Sequence, residues 1–225
     1  MAKKENIKDP LNMDEAIGAS EAFLLKYKNT ILGVIISIAV IILAFMGYKH
    51  FISEPRELHA SETLFKAEAL FRANNYEAAL KGDSLGAKGF LYVIKDYSGT
   101  KAGNLANAYA GICYAQLGQY NEALICLDKF SAKDLLVNPA IMAATGNCYA
   151  QLGKLDKAAD LLAKAADQAD SQALSPIYLI QAGELYEKLG KNSEAIKAYK
   201  LIKDKYFNSY QAMEIDKYIE RASIK

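Results

Sequence analysis

The sequence contains no tryptophan, only two histidines, three cysteines and four prolines among 225 residues, and its net charge is +1. Two histidines supply too few ligands for a metal site, and neither is expected near a cysteine that would need it as a base. Hydrophobic residues make up 52% of the chain, which is therefore not disordered and can form one folded domain plus an anchor.

Charge and motifs exclude further classes. After residue 48 the chain has 22 basic and 21 acidic residues, whereas a nucleic-acid-binding protein needs clustered Lys and Arg to displace the counterions of phosphates. The sequence has no glycine loop ending in Lys-Ser or Lys-Thr, no Cys-x-x-Cys pair and no His-Glu-x-x-His motif. We therefore predict no catalytic residue, no cofactor, no metal, no nucleic acid and no small-molecule substrate, and we expect a protein that is not an enzyme.

A repeat dominates the second half of the chain. The hexapeptide Cys-Tyr-Ala-Gln-Leu-Gly occupies 113–118 and again 148–153, and a looser copy, Leu-Tyr-Glu-Lys-Leu-Gly, occupies 185–190. The intervals of 35 and 37 residues are close to the length of a two-helix repeat, ~34 residues. The spacing predicts a stack of helix pairs.

Residues within one repeat have distinct packing roles. Gly111 lets a neighbouring helix approach, Tyr114 fills the space one turn later, and Gly118 ends the helix in the left-handed conformation. Ala123 then begins the packing face of the second helix. The same set recurs as Gly146, Tyr149, Gly153 and Ala158, and as Gly183, Tyr186, Gly190 and Ala195.

Other signals mark where helices begin and where the array ends. Asn138 and Ser175 each precede a proline, which predicts a capping side chain followed by proline at the first helical position. A degenerate earlier unit is followed by a glycine-rich insertion at 82–89, whose role the sequence leaves open. We predict a final capping helix at 209–222, because a solenoid needs a cap. Its expected contacts with the last repeat are Tyr210, Met213, Tyr218 and Ile219.

The repeated set resembles the tetratricopeptide repeat (TPR), with the glycine, tyrosine and alanine positions matched in three units. The position that carries tryptophan in that pattern holds Asn107, Met142 or Leu179. The resemblance implies an all-α fold with a TPR helix-pair solenoid at 58–225. We predict that a single transmembrane helix precedes the solenoid.

That membrane helix is predicted at 29–48. These twenty residues carry no charge and lie between Lys28 and Lys49, and an α-helix of this length spans ~30 Å, the thickness of the bilayer core. We expect an uncleaved signal anchor, preceded by a tail with a short helix at 1–28 and followed by a linker at 49–57. Five lysines in the tail mildly favour a cytoplasmic tail and repeats outside the cytoplasm, whereas the free cysteines favour the opposite orientation.

Partner binding is expected on the first helix of each repeat, which lines the concave face of a TPR array. TPR spacing places three groups of residues there. They are Leu105, Ala108, Ile112, Ala115 and Gln116; then Ala140, Ala143, Asn147, Ala150 and Gln151; then Ile177, Ile180, Glu184, Glu187 and Lys188. This partner groove is small, apolar and nearly uncharged, which suits an extended or helical protein segment. The alternative is that its small residues only pack against the neighbouring helix.

The layout of tail, anchor and TPR domain resembles the YfgM-type proteins, ancillary subunits of the Sec translocon in bacterial inner membranes. The resemblance implies a periplasmic TPR adaptor whose partners are translocon subunits, chaperones or exported clients. One alternative is a scaffold for outer-envelope or division assemblies, because residues 89–98 also resemble TPR units of outer-membrane assembly lipoproteins. Another is a TPR regulator that faces the cytoplasm.

Overall fold

The computed structural model of the chain describes residues 13–132 and 136–224, with side chains from Lys26 onward. All regular structure in these two ranges is helical, without a strand. The first twelve residues of the predicted tail lie outside the described residues. The chain divides into two compact units between Pro55 and Arg56.

The first unit is built on one long helix. Helix α1 spans Met13–Tyr48, so the short helix predicted in the tail and the predicted span form a single element. A π-helical stretch, Lys49–Ser53, follows, and α2 begins at Glu54. The residues predicted as a linker, 49–57, are therefore helical.

The side chains of the apolar stretch are exposed. From Leu32 to Met46 the large hydrophobic side chains are exposed, and none of them is buried against another part of the protein. Of the helices in the described ranges, this N-terminal one alone is long and apolar enough to cross a bilayer. A helix that is apolar on all sides and packs against no protein is the type that lipid accommodates.

The second unit consists of helix pairs and a cap. The first pair is α2 (Glu54–Arg72) with a second helix in two pieces, α3 (Tyr76–Lys81) and α4 (Phe90–Asp96). Three regular pairs follow, α5 (Lys101–Gln116) with α6 (Tyr120–Lys129), α7 (Val137–Gln151) with α8 (Leu155–Ala169), and α9 (Ser175–Lys188) with α10 (Asn192–Lys205). A 3₁₀ helix, Tyr210–Glu214, and α11 (Ile215–Ile224) form the cap.

The repeated hexapeptide ends the first helix of each pair in the same way. Gly118 has φ +75°, and the N–H of the next residue, Gln119, donates to the carbonyl of Tyr114 at 2.9 Å. This is the Schellman arrangement, which satisfies a carbonyl that the helix end would leave free. The same bond, between 2.8 and 3.0 Å, follows Asn74, Gly153 and Gly190. The degenerate first unit thus shares this helix end with the other three.

The inner glycine of each repeat receives a side chain from the second helix of its pair. A Cβ atom on Gly183 would lie 2.3 Å from the Tyr199 ring, and one on Gly111 would lie 2.6 Å from the Leu127 side chain. At Gly146 the nearest atom, on Leu162, would be 3.1 Å away. Each of these partner side chains is sixteen residues after its glycine. The predicted close approach of the two helices is confirmed.

The predicted helix caps at Asn138 and Ser175 are wrong. Both residues lie inside their helices, because α7 starts two residues before Pro139 and α9 starts one residue before Pro176. Ser175 is buried, and its hydroxyl donates to the carbonyl of Ala166 at 2.7 Å while accepting the N–H of Ser171 at 2.9 Å. The serine therefore ties the end of α8 to the start of α9.

The predicted capping helix is confirmed, but two of its four contacts are not. Tyr218 and Ile219 pack against the core of the last repeats. Tyr210 and Met213 are instead 78% and 81% exposed. The four contacts were predicted on the assumption that the chain is α-helical from residue 209 onward. The first five residues are 3₁₀, and at three rather than 3.6 residues per turn the face rotates by about 100° over that length.

All three cysteines are buried, and burial raises the pKa of their thiols. Cys113, Cys126 and Cys148 are free and buried. Desolvation raises the pKa of the Cys113 thiol to about 12 and also raises the pKa of the other two. None of the three is primed to act as a nucleophile, since the thiolate is the reactive form.

We predict that Gly183→Ala destabilises the repeats and that Gly146→Ala does not. The new methyl group at 183 would collide with the rigid Tyr199 ring, and overpacking costs about 1–3 kcal/mol. The fit at Gly146 is looser, so the methyl group crowds Leu162 only slightly. Alanine also favours the helix over glycine by about 0.5–1 kcal/mol, which offsets this crowding. Thermal unfolding of the full chain, followed by circular dichroism at 222 nm, measures both. Equal melting temperatures would contradict this account.

We also predict that stability falls at alkaline pH through the thiols. Because the folded state raises their pKa, the unfolded chain loses thiol protons first as the pH rises above about 8.5. The folded state is therefore destabilised progressively between the unfolded and folded pKa values. Urea unfolding at pH 7.5 and pH 10 measures this loss, which Cys113→Ala should reduce. An unchanged pH dependence in that variant would assign the effect to other groups.

Candidate functional site

The structure places the fifteen predicted groove residues in different surroundings. Five line one pocket between α5 and α7, and three line a second pocket at the end of α9. Ala108 and Ala143 are buried in the core. At these two positions the side chain packs against neighbouring helices, which was the alternative to partner binding. Of the rest, Leu105, Ala150 and Ile180 are half-buried against the core, and Ala140 and Ile177 are exposed.

The first of these pockets, which we call the amide pocket, has a volume of about 250 Å³. Its lining residues come from the first helices of two successive repeats and from the start of α6. They are Ile112, Ala115, Gln116, Tyr120, Ala144, Asn147, Cys148 and Gln151. No charged residue is among them, and the predicted neutral character of the groove is found here.

Three side-chain amides stand at this pocket. Gln116 and Gln151 are exposed and occupy the same position in consecutive repeats, and Asn147 is exposed one turn before Gln151. Within the described part of the chain, none of the three side chains forms a hydrogen bond with another protein group. An amide offers both a donor and an acceptor. The amides can therefore pair with the backbone of a bound segment, which has the same two groups.

Sequence reasoning missed three residues of the amide pocket. Tyr120, Ala144 and Cys148 were not assigned to the groove. Tyr120 belongs to the second helix of its pair, and a search restricted to first helices cannot find it. Cys148 is buried in the core and also borders the pocket. Asn147, which precedes Cys148 in sequence, was predicted in the groove, and its position indicates which turn of α7 borders the pocket.

The second pocket, which we call the charged pocket, has a volume of about 400 Å³ and is lined by Glu184, Glu187, Lys188 and Arg221. Three of these were predicted. Arg221 was not, because it comes from the cap and no feature of the repeat pattern places it beside α9.

Within the charged pocket, Glu187 is already engaged by the protein. Its side chain is only 4% exposed. Arg221 donates to both carboxylate oxygens, with an Nη2–Oε1 distance of 2.6 Å and an Nε–Oε2 distance of 3.1 Å, and the Tyr199 hydroxyl donates to Oε1 at 2.8 Å. Burial and this hydrogen bond raise the pKa of Tyr199, and the bonds to Glu187 raise the pKa of Arg221. The pair holds α11 onto α9, and Glu184 and Lys188 remain exposed beside it.

A serine motif in the insertion has no catalytic surroundings. Residues 82–86, Gly-Asp-Ser-Leu-Gly, have the spacing of a hydrolase nucleophile elbow, which connects a strand to a helix. Here the segment follows α3, and the side chains around Ser84 include no histidine. The Asp83 carboxylate instead accepts the N–H groups of Leu85 and Ala87, at 3.0 and 2.8 Å, and folds the loop. Among the described residues no cluster of His, Cys, Asp and Glu could hold a metal ion.

Family comparisons agree with the repeats seen in the structure. Two tetratricopeptide repeat families match the chain, one over residues 104–173 and the other over residues 178–209. These ranges include α6, α7, α8 and α10 and most of α5 and α9. No curated protein matches the chain significantly. The chain is thus an all-helical protein with tetratricopeptide repeats, a type of repeat that binds protein partners, and it carries a long apolar helix near its N-terminus.

Proposed function

We propose that this protein is a membrane-anchored adaptor, not an enzyme, that holds a segment of another protein on the first helices of its repeats. The observation that carries the proposal is the amide pocket, which combines an apolar lining with three amides that have no protein partner among the described residues. Such a site fixes a polypeptide by its backbone and by small apolar side chains. Protein segments are accordingly its ligand class.

The chemistry of the amide pocket defines the segment further. A volume of about 250 Å³ accepts an aliphatic side chain, which would contact Ile112, Ala115 and Ala144. The absence of Lys and Arg from its lining disfavours the capture of a terminal carboxylate, which needs paired cations. The segment therefore binds through internal residues and extends toward the exposed Glu184 and Lys188 of α9.

The apolar helix supports a location at a membrane. We propose that residues 29–48 span the bacterial inner membrane once, with the repeats in the periplasm, where the adaptor associates with the Sec translocon and with periplasmic chaperones in the export of envelope proteins. The lysines of the tail support this orientation, and the layout of tail, anchor and repeats supports the association. Crosslinking in intact cells, followed by purification in mild detergent, tests it. Recovery of outer-membrane assembly components without Sec subunits or chaperones would favour the scaffold alternative.

The orientation generates a labelling prediction. Ser84 is exposed in the loop after α3, and the three native thiols are buried, so Ser84→Cys adds a single reactive thiol to the native chain. We expect a membrane-impermeant maleimide, supplied outside the inner membrane, to label this variant in intact spheroplasts. Lys26→Cys, on the other side of the span, should react only after the membrane is opened. The reverse pattern would place the repeats in the cytoplasm and support the regulator alternative.

The amide pocket generates a binding prediction. We expect Asn147→Lys to weaken partner capture at least tenfold, because it introduces a charge that an apolar segment cannot solvate and removes one backbone-pairing amide. Asn121→Lys is the matched control, since Asn121 is an exposed asparagine on α6 that is not among the residues lining the pocket. Quantitative mass spectrometry of proteins that co-purify with each full-length variant measures the effect. Equal recovery of partners with both variants would show that the amide pocket is not part of the binding site.

A further inference from the structure

Helix α9 carries a glutamine at a position that lines the amide pocket in the preceding repeat. Ala144 lines that pocket from α7, and it stands nine residues before Gly153, which ends the helix. The residue nine positions before Gly190, which ends α9 with the same hydrogen bond, is Gln181. Gln181 therefore occupies on α9 the place that Ala144 occupies on α7.

Gln181 also shares a helix face with two residues of the predicted partner groove. Glu184 and Lys188 follow it after three and seven residues, a spacing that places all three on one side of an α-helix. Both of these residues line the charged pocket. Gln181 therefore lies on the groove side of α9, one turn before the charged pocket.

The side-chain amide of Gln181 has an unmet hydrogen-bonding requirement. Its oxygen, Oε1, is buried, and among the described residues no group donates a hydrogen bond to it. A buried acceptor without a donor destabilises a protein, and such atoms are uncommon in native structures. Helix α7 carries alanine at this position and avoids the cost. The packing of the repeats therefore does not explain the glutamine.

The amides of the groove also restrict the conformation of a bound segment. Gln116, Asn147 and Gln151 stand at the amide pocket, and Gln181 adds a fourth amide on the next first helix. An α-helix uses its backbone N–H and C=O groups for its own hydrogen bonds, whereas an extended chain leaves these groups free. A series of side-chain amides therefore suits an extended ligand and not a helical one.

We propose that Gln181 binds the same protein segment as the amide pocket and that this segment is extended, an inference that rests on the proposed function of that pocket. On binding, the side chain of Gln181 turns about its own single bonds, and Oε1 accepts a backbone N–H of the segment. The ligand thereby supplies the donor that the protein lacks. Neighbouring helices pack about 8–10 Å apart, and an extended chain advances about 3.3 Å per residue. The N–H therefore belongs to a residue about three positions from the apolar side chain in the amide pocket.

N-methylated peptides test the proposal. The full-length chain in detergent micelles selects binders from a random library of short peptides, and those whose affinity falls at least tenfold with Asn147→Lys are kept. Each backbone N–H of these peptides is then replaced in turn by N–CH₃, and alanine scanning identifies the apolar anchor. We expect Gln181→Met to weaken binding of the parent peptides at least fivefold. One N-methyl group, about three residues from the anchor, should weaken binding to the native chain equally and leave binding to Gln181→Met unchanged.

Asn192→Leu is the matched control. Oδ1 of Asn192 is also buried without a hydrogen-bond partner among the described residues, but Asn192 begins α10, which is a second helix. We expect this variant to bind the peptides as the native chain does. Thermal unfolding provides a second readout. Gln181→Met should melt no lower than the native chain, because the substitution removes an unpaired acceptor and keeps the length of the side chain.

Other outcomes overturn the proposal. Peptides that depend on Asn147 but bind Gln181→Met as tightly as the native chain would exclude Gln181 from the site and leave the amide pocket in it. Loss of binding on N-methylation at every internal position would indicate a helical ligand. A lower melting temperature of Gln181→Met would show that its oxygen has a partner within the protein. A library without any binder sensitive to Asn147→Lys would instead contradict the proposed function of the amide pocket.

Discussion

Each regular pair of helices depends on one packing contact, a side chain of the second helix that fills the gap left by a glycine of the first. Leu127, Leu162 and Tyr199 occupy this gap over Gly111, Gly146 and Gly183. All three partner side chains are almost fully buried, and Leu162 and Tyr199 belong to the core shared by the last two pairs. The contact sets how closely the helices approach, and with it the positions of the first-helix side chains that line both pockets.

The same contact links the last repeat to its cap. Tyr199 is larger than the leucines at the equivalent positions, and its hydroxyl reaches Glu187, where Arg221 of α11 completes the network. A buried carboxylate is costly unless it is paired and hydrogen-bonded, and both conditions are met here. The end of the array is therefore held by polar contacts, whereas the middle is held by alanine and leucine packing. As a result, the groove changes from neutral at the amide pocket to charged at α9.

The repeats were predictable because their signals are local. The glycine that ends each first helix and the glycine that receives a side chain both require a particular residue type, and both recur at a fixed interval. Five of the amide pocket residues on first helices followed from the same spacing. Features that depend on a change of helix type or on distant elements were not predictable. The 3₁₀ turn reversed the expected faces of Tyr210 and Met213, and only the folded cap brings Arg221 to Glu187. Ser175, expected to cap its own helix, bonds to the preceding one because the helix starts earlier.

The central claim is that partners bind on the first helices of the repeats, and site-directed photocrosslinking in living cells tests it most directly. A photoreactive amino acid would replace Gln116, Gln151 or Lys188 on the groove side, and Ile125, Lys164 or Lys200 on exposed positions of the second helices. The account predicts adducts of the same discrete partner masses from all three groove positions and none from the second helices. Adducts that form only from the second helices, or equally from both sets, would contradict it.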